Sequence, residues 1–144
     1  MKISAKGEYA LRALLDLAVH HGKGLTPIQQ IAARQKIPQR YLEQVLLQLK
    51  RAGFLQSRRG STGGYALSRP AAEITVGEVL RAMEGKLTAF EVGGRGPRGE
   101  ALDLGELWQE ISEAVSAVID RTTFADLCRR AEERQSTARP MFHI

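Results

Sequence analysis

Between Thr26 and Ser68 the chain reads TPIQQIAARQKIPQRYLEQVLLQLKRAGFLQSRRGSTGGYALS, and the order of starts, stops and turns here restricts the fold more than any other feature. Thr26-Pro27-Ile28-Gln29 has the make-up of a helix start: an N-cap hydroxyl, a proline at the first helical position and a Gln three residues after the cap. Ile28, Ile31 and Ala32 mark its inward face until Lys36-Ile37-Pro38 forces a turn, because the residue before a proline is pushed out of the helical region. Leu42, Val45, Leu46 and Leu49 then recur at three- and four-residue steps and stop before Gly53, which marks a second helix. Phe54 to Arg58 and Tyr65 to Ser68 read as two short strands around the turn Arg59-Gly60-Ser61-Thr62-Gly63-Gly64. Helix, tight turn, helix and glycine-rich hairpin is the order of a winged helix-turn-helix. That arrangement offers one helix to a major groove of DNA and an arginine-bearing loop to the neighbouring minor groove.

The flanking segments complete a domain. Ser4 can cap a first helix on which Tyr9, Ala10, Ala13, Leu14, Leu17 and Ala18 share a face, ending with His20 and His21 before Gly22. Adjacent histidines point in different directions on a helix, so they read as last-turn partners of the helix dipole and not as a metal pair. Thr75-Val76-Gly77-Glu78 opens another helix through a capping box, with Val76, Val79, Leu80 and Met83 apolar and Gly85 as its stop. Residues 93 to 100, GGRGPRGE, break every periodicity and predict a mobile loop. Beyond it Leu104, Leu107, Trp108, Ile111, Val115, Val118 and Ile119 form an apolar stripe on a helix of about four or five turns. A stripe this long after a complete winged domain predicts pairing with the same helix of a second copy. Thr123, with Asp126 three residues on, caps a last short helix, and the tail from Gln135 is polar, with Met141 and Phe142 as its apolar exception.

The expected fold is therefore mainly α with a small β-hairpin. Residues 1–85 form a winged helix-turn-helix domain, 86–103 a flexible, sensor-like loop, 104–134 a dimerisation helix with a short terminal helix, and 135–144 a loose tail.

Charge agrees with a division of labour. Residues 1 to 70 hold 12 Lys and Arg against 3 Asp and Glu, whereas residues 71 to 144 hold 9 against 13. A basic half fits a nucleic-acid surface and an acidic half a separate interaction module. The single cysteine, Cys128, rules out an intramolecular disulfide and a multi-cysteine metal site within one chain. Lys2, Lys6, Glu8, Arg12 and Asp16 interrupt the first helix, so it reads neither as a signal peptide nor as a membrane span, and a cytoplasmic protein without membrane association is expected.

On the second helix of the motif, Gln39, Arg40 and Gln44 suit base edges, since Arg donates two bonds to guanine and Gln pairs with adenine; Glu43 can accept from a cytosine amino group. Arg59 at the hairpin tip is the candidate for the minor groove. Lys6, Lys50, Arg51, Arg58 and the backbone amides expected to be capped by Thr26 are candidates for phosphate. The three histidines, His20, His21 and His143, have no partner at a recognisable catalytic spacing, so no enzyme activity, catalytic residue, metal or cofactor is expected.

These residues resemble the IscR/NsrR/CymR family of bacterial winged-helix transcriptional regulators. The resemblance is carried by Ile3-Ser4-Ala5-Lys6-Gly7-Glu8-Tyr9-Ala10, Tyr41-Leu42-Glu43-Gln44, Arg59-Gly60 with Gly63-Gly64-Tyr65, and Leu107-Trp108 followed by Thr122-Thr123-Phe124-Ala125-Asp126-Leu127. It covers nearly the whole chain. It implies a homodimer crossed by the long helix, a two-fold-related operator and, usually, repression of genes for iron-sulfur, redox, nitric-oxide or cysteine metabolism. Many members carry three cysteines in the loop before the long helix and bind an iron-sulfur cluster there; residues 90 to 100, FEVGGRGPRGE, contain none, so a cluster-less subtype is expected. Glu8 matches an acidic position that helps ligate the cluster in some relatives, a role that lapses without thiolates. Cys128 lies outside those positions and reads as a small apolar residue. Recognition helices of the family often begin with small hydroxyl residues, whereas this one begins Pro38-Gln39-Arg40, so an operator sequence does not transfer.

Other readings compete. Gly94, Gly96 and Gly99 spell a literal G-x-G-x-x-G, but Pro97 stiffens it and no βαβ unit surrounds it, which argues against a dinucleotide site. A basic half alone could hold DNA or RNA by counterion release, which makes a sequence-indifferent architectural protein the main alternative to a specific regulator. An adaptor acting through the acidic half is a third class. Residues 91–100, with Arg95 and Arg98, could bind a small-molecule or protein co-regulator.

Overall fold

The computed structural model describes residues 2–87 and 104–138. In chain order the elements are α1 (Ala5–Val19), α2 (Ile28–Gln35), α3 (Gln39–Arg51), β1 (Leu55–Arg58), β2 (Gly64–Leu67), a single 3-10 turn (Ala71–Glu73), α4 (Val76–Glu84), α5 (Gly105–Arg121) and α6 (Phe124–Ala138). The strands pair antiparallel with Leu55 opposite Leu67 and Arg58 opposite Gly64. Helices and one hairpin in this order form a winged helix-turn-helix.

α1 is the central helix: α2, α3, α4 and α6 all pack against it. Its Ala10, Ala13, Leu14 and Leu17 meet Ile31, then Leu42, Val45, Leu46 and Leu49 of α3, and Val79 and Met83 of α4 in one buried cluster. The three- and four-residue spacing of these positions turns one stripe of each helix inward and leaves the opposite face to solvent. Ser4 caps α1, its Oγ accepting from the Gly7 N–H at 3.2 Å, and the Glu84 carboxylate in turn accepts from the Ser4 N–H at 3.0 Å and from its hydroxyl. The end of α4 is thereby fastened to the start of α1. Thr75 and Glu78 form the reciprocal capping box expected from their spacing, and α4 stops at Gly85.

Three expectations need correction. Thr26 does not cap α2: the cap is Pro27, which makes no side-chain cap bond. Thr26 pairs with Tyr65 instead, its N–H donating to the Tyr65 carbonyl at 2.9 Å and its carbonyl accepting from the Tyr65 N–H at 2.8 Å. Those bonds hold it in an extended conformation as a one-residue third strand of the wing. The first helix closes at Val19 with His20 as its cap, so His21 lies beyond the last turn. The last helix is not short: α6 runs 15 residues to Ala138, four residues into the stretch expected to be a loose tail. Its Thr123 start is as expected, with Thr123 N–H donating to Asp126 at 2.9 Å and Asp126 N–H donating to the Thr123 hydroxyl at 3.1 Å. Polar composition hid its length, because after Phe124, which is fully buried, α6 lies along the surface of α1 and the 3-10 turn and needs little apolar surface. The G-x-G-x-x-G segment, the co-regulator segment 91–100, Met141, Phe142 and His143 lie outside the described residues.

α5 begins at Gly105 and is tied to the domain near its C-terminal end. The Arg81 guanidinium grips Asp120 through both carboxylate oxygens, Val76 N–H donates to the Thr122 carbonyl at 2.9 Å, and Phe124 N–H donates to the Ile74 carbonyl at 3.0 Å. No residue of α5 is fully buried within the chain; Leu104, Leu107 and Val118 are 54%, 45% and 47% exposed, and Trp108, Ile111, Val115 and Ile119 are half-buried.

Candidate nucleic-acid interface

Helix α3 turns Leu42, Val45, Leu46 and Leu49 into the core, so a repeat of 3.6 residues per turn turns Gln39, Arg40, Glu43, Gln44, Leu47, Lys50 and Arg51 outward, and all seven are exposed. The base-reading candidates Gln39, Arg40, Glu43 and Gln44 therefore share the first two turns of one face. Tyr41 is 41% exposed but is held by α1: its ring meets Tyr9 edge to face at 5.4 Å, and the Arg12 guanidinium lies 5.8 Å from the Tyr9 centroid.

The turn between α2 and α3 is fixed from beneath by a polar cluster that sequence reasoning missed. Asp16 is 2% exposed and accepts from Arg34 Nε at 2.9 Å, Arg34 Nη2 at 2.8 Å and Gln35 Nε2 at 3.0 Å. The hydrogen bond to Asp16 holds the Arg34 guanidinium even above its usual range of protonation. Arg12 adds a bond to the Gln35 carbonyl, at the residue where α2 ends and Lys36 turns left-handed at φ 54°. His20, the C-cap of α1, has its Nδ1 2.8 Å from the Asp16 carbonyl.

The wing is attached to this frame through buried Leu55 and Leu67, through the Thr26–Tyr65 pair and through Lys50 Nζ, which donates to Ser57 Oγ at 2.7 Å. Its tight return depends on glycine at two positions. A Cβ at Gly63 would come within 2.1 Å of the Arg58 carbonyl oxygen, and at Gly64, where φ is +150°, within 2.5 Å of the Thr26 carbonyl. Arg58 and Arg59 are exposed on the hairpin, and among the described residues neither these two nor Arg40 nor Arg51 pairs with a carboxylate. Thr26 itself is 6% exposed with its backbone N–H engaged by the Tyr65 carbonyl, while the amides of Ile28 and Gln29 precede the first intrahelical bonds of α2. Lys6 is half-buried on α1. Between the start of α2, the outward face of α3 and the wing lies an open groove of about 610 Å³ lined by Ile28, Gln29, Glu43, Leu47, Lys50, Ser57, Arg58 and Arg59. Leu47 is a further residue the sequence reading passes over: it falls off the core stripe of Leu42, Val45, Leu46 and Leu49 and outside the polar face, and it is 47% exposed in this groove.

Comparison with known proteins agrees with the geometry. A family model described as Rrf2, iron-dependent transcriptional regulator, matches residues 3–130. The chain is 38% identical to the HTH-type transcriptional regulator CymR of Bacillus subtilis (strain 168) over 144 residues, all of both chains. It is 36% identical over 129 residues to IscR of Serratia proteamaculans (strain 568), covering 88% of this chain and 79% of that one. The structure of CymR, described as the global cysteine regulator of B. subtilis, superposes with a TM-score of 0.80 at 37% identity, covering 90% of this chain and 98% of that chain. IscR of T. potens gives 0.76 at 34% identity, covering 94% and 91%.

The donor set of this chain does not fit an iron-sulfur cluster. Such clusters are held mainly by cysteine thiolates, and the one cysteine, Cys128 on α6, is half-buried with its thiol pushed up by burial and by the neighbouring charge of Glu132. Glu8 is exposed on α1, and among the described residues no three His, Cys, Asp or Glu side chains gather as a metal site. No helix among the described residues is long and apolar enough to cross a membrane. Matched along nearly its full length by the family model and by relatives more than a third identical, the chain belongs to the Rrf2 family of bacterial HTH-type transcriptional regulators, which are DNA-binding proteins and not enzymes.

Proposed function

We propose that the protein acts in the cytoplasm as a homodimeric repressor that binds a palindromic operator without an iron-sulfur cluster. In this reading Gln39, Arg40, Glu43 and Gln44 of each subunit meet base edges in successive major grooves, and Arg59 reads the shape of the flanking minor groove. Lys6, Lys50, Arg51, Arg58 and the first amides of α2 hold phosphates and set the register without carrying sequence information. The observation that carries the reading is the continuous exposed face of α3 beside two wing arginines that no carboxylate neutralises.

The dimer is supported by α5. Along the stripe, Leu104, Leu107 and Val118 are about half exposed and Trp108, Ile111, Val115 and Ile119 are half-buried, so a second copy packed on α5 withdraws apolar area from water. Dimerisation through α5, which extends from the winged domain, gives two α3 helices related by a two-fold axis, the symmetry a palindrome mirrors. The inducing signal enters through residues 91–100, as a small-molecule or protein co-regulator. Fluorescence anisotropy with palindromic and scrambled duplexes tests the proposal. Preference for the palindrome by about a thousandfold supports it, and equal affinity with a steep salt dependence identifies an architectural binder instead.

A further inference from the structure

On the α3 side of the groove one exposed side chain has no use in any hydrogen-bonding scheme. Leu47 lies one turn beyond Glu43 and two beyond Gln39, opposite the buried stripe, and every other exposed residue on this face is polar or charged. A lone exposed leucine is ordinary on most surfaces. Here it stands at the centre of the face that meets DNA, where an unmatched apolar group displaces water from polar base edges with no bond in return. DNA presents two apolar surfaces that could receive it, the 5-methyl group of thymine in the major groove and the C–H face of deoxyribose.

We propose that Leu47 is a specificity residue that packs on one thymine methyl in each half-site. The proposal rests on the reading of α3 as the major-groove helix. Two observations favour the base over the sugar. Leu47 follows Arg40 by seven residues and Glu43 by four, so it continues the same ridge as the base-reading candidates. Lys50, bonded to Ser57 of β1 at 2.7 Å, occupies the wing side of that ridge, so a sugar-phosphate strand passing between α3 and the wing would meet Lys50 and leave Leu47 on the base side. Apolar contact with the 5-methyl group is one of the ways thymine is recognised at this edge, beside its O4 acceptor.

Deoxyuridine scanning of a selected operator tests this, because replacing thymine by deoxyuridine removes the methyl group and leaves every hydrogen bond in place. With the full-length protein, one thymine per half-site should show an affinity loss of about fourfold on replacement, the value of one buried carbon. Leu47→Ala should be insensitive at that position and unchanged at the others, while Leu47→Met should retain the sensitivity. Equal sensitivity of wild type and Leu47→Ala at every thymine overturns the proposal. A uniform loss for Leu47→Ala on all sequences does so as well, since that is the mark of a sugar contact. The underlying reading has its own control. If Arg40→Ala and Gln44→Ala leave base preference unchanged, α3 is not the major-groove helix. If they shift it and no thymine couples to Leu47, only the present inference falls.

Discussion

Removing Arg34 should cost more stability than neutralising its partner, although both changes break the same pair. The Asp16 side chain is 1% exposed and the Arg34 side chain 35% exposed, so the pair has one member sealed from water and one able to reach it. Arg34→Ala leaves a buried carboxylate with the Gln35 amide as its hydrogen-bond donor and the His20 ring 3.7 Å away. Breaking a buried pair in this way costs about 3 kcal/mol or more. Asp16→Asn keeps the shape and still accepts one bond, and the released guanidinium turns to solvent, so the loss is that of one or two charge-assisted hydrogen bonds, about 1–2 kcal/mol. The asymmetry should appear in urea unfolding followed by circular dichroism at one fixed protein concentration, because the proposed dimer would make apparent stability concentration-dependent. Asp16→Asn costing as much as Arg34→Ala, or Arg34→Ala costing under about 1 kcal/mol, would mean that water reaches the carboxylate and that the cluster does not brace the α2–α3 turn.

Three further predictions follow from individual contacts. Arg59→Ala should weaken operator binding by about 1–3 kcal/mol per half-site while moving unfolding by no more than about 0.5 kcal/mol, since the side chain has no carboxylate partner; unchanged affinity in a gel-shift titration removes the wing assignment. Asp120 is held below its ordinary 3.8 by the hydrogen bonds from Arg81, so the stability it contributes is complete above that value and is lost as pH falls through the lowered one. Asp120→Asn should therefore be less stable than wild type from neutral pH down to about 5, with the gap closing below 3.8; a gap that closes near neutrality contradicts this ion pair. Burial raises the Cys128 thiol and disfavours the thiolate, so mild peroxide should leave operator binding intact, and loss of binding that Cys128→Ser prevents would assign a redox role instead.

Apolar spacing and turn chemistry foretold most of the fold, because those signals are local. Gly53, Gly85 and the Thr75–Glu78 and Thr123–Asp126 boxes act within one helical turn of themselves, and each does in the structure what its spacing implies. Thr26 shows where local reading fails. Its sequence context satisfies every rule for a cap, yet a partner 39 residues away on β2 competes for its backbone and wins with two hydrogen bonds. Asp16 fails for the same reason in reverse: alone on an apolar helix it looks like a break in the stripe, and only the fold brings Arg34 and Gln35 to it. The outward face of α3 was readable as a set of residue types, and the spacing of Leu42, Val45, Leu46 and Leu49 already turns Leu46 inward, but the setting of Leu47 was not, since only the fold brings the wing opposite it to make a groove.

The central claim is that a two-fold dimer reads a specific sequence through α3. Selection of bound duplexes from a random DNA pool, carried out at two salt concentrations and scored for symmetry, tests it most directly. A palindromic motif that survives the higher salt, with half-sites about one helical turn apart, is the predicted result. Enrichment with no shared motif, lost steeply as salt rises, would contradict it and leave only charge-driven binding by the basic half of the chain.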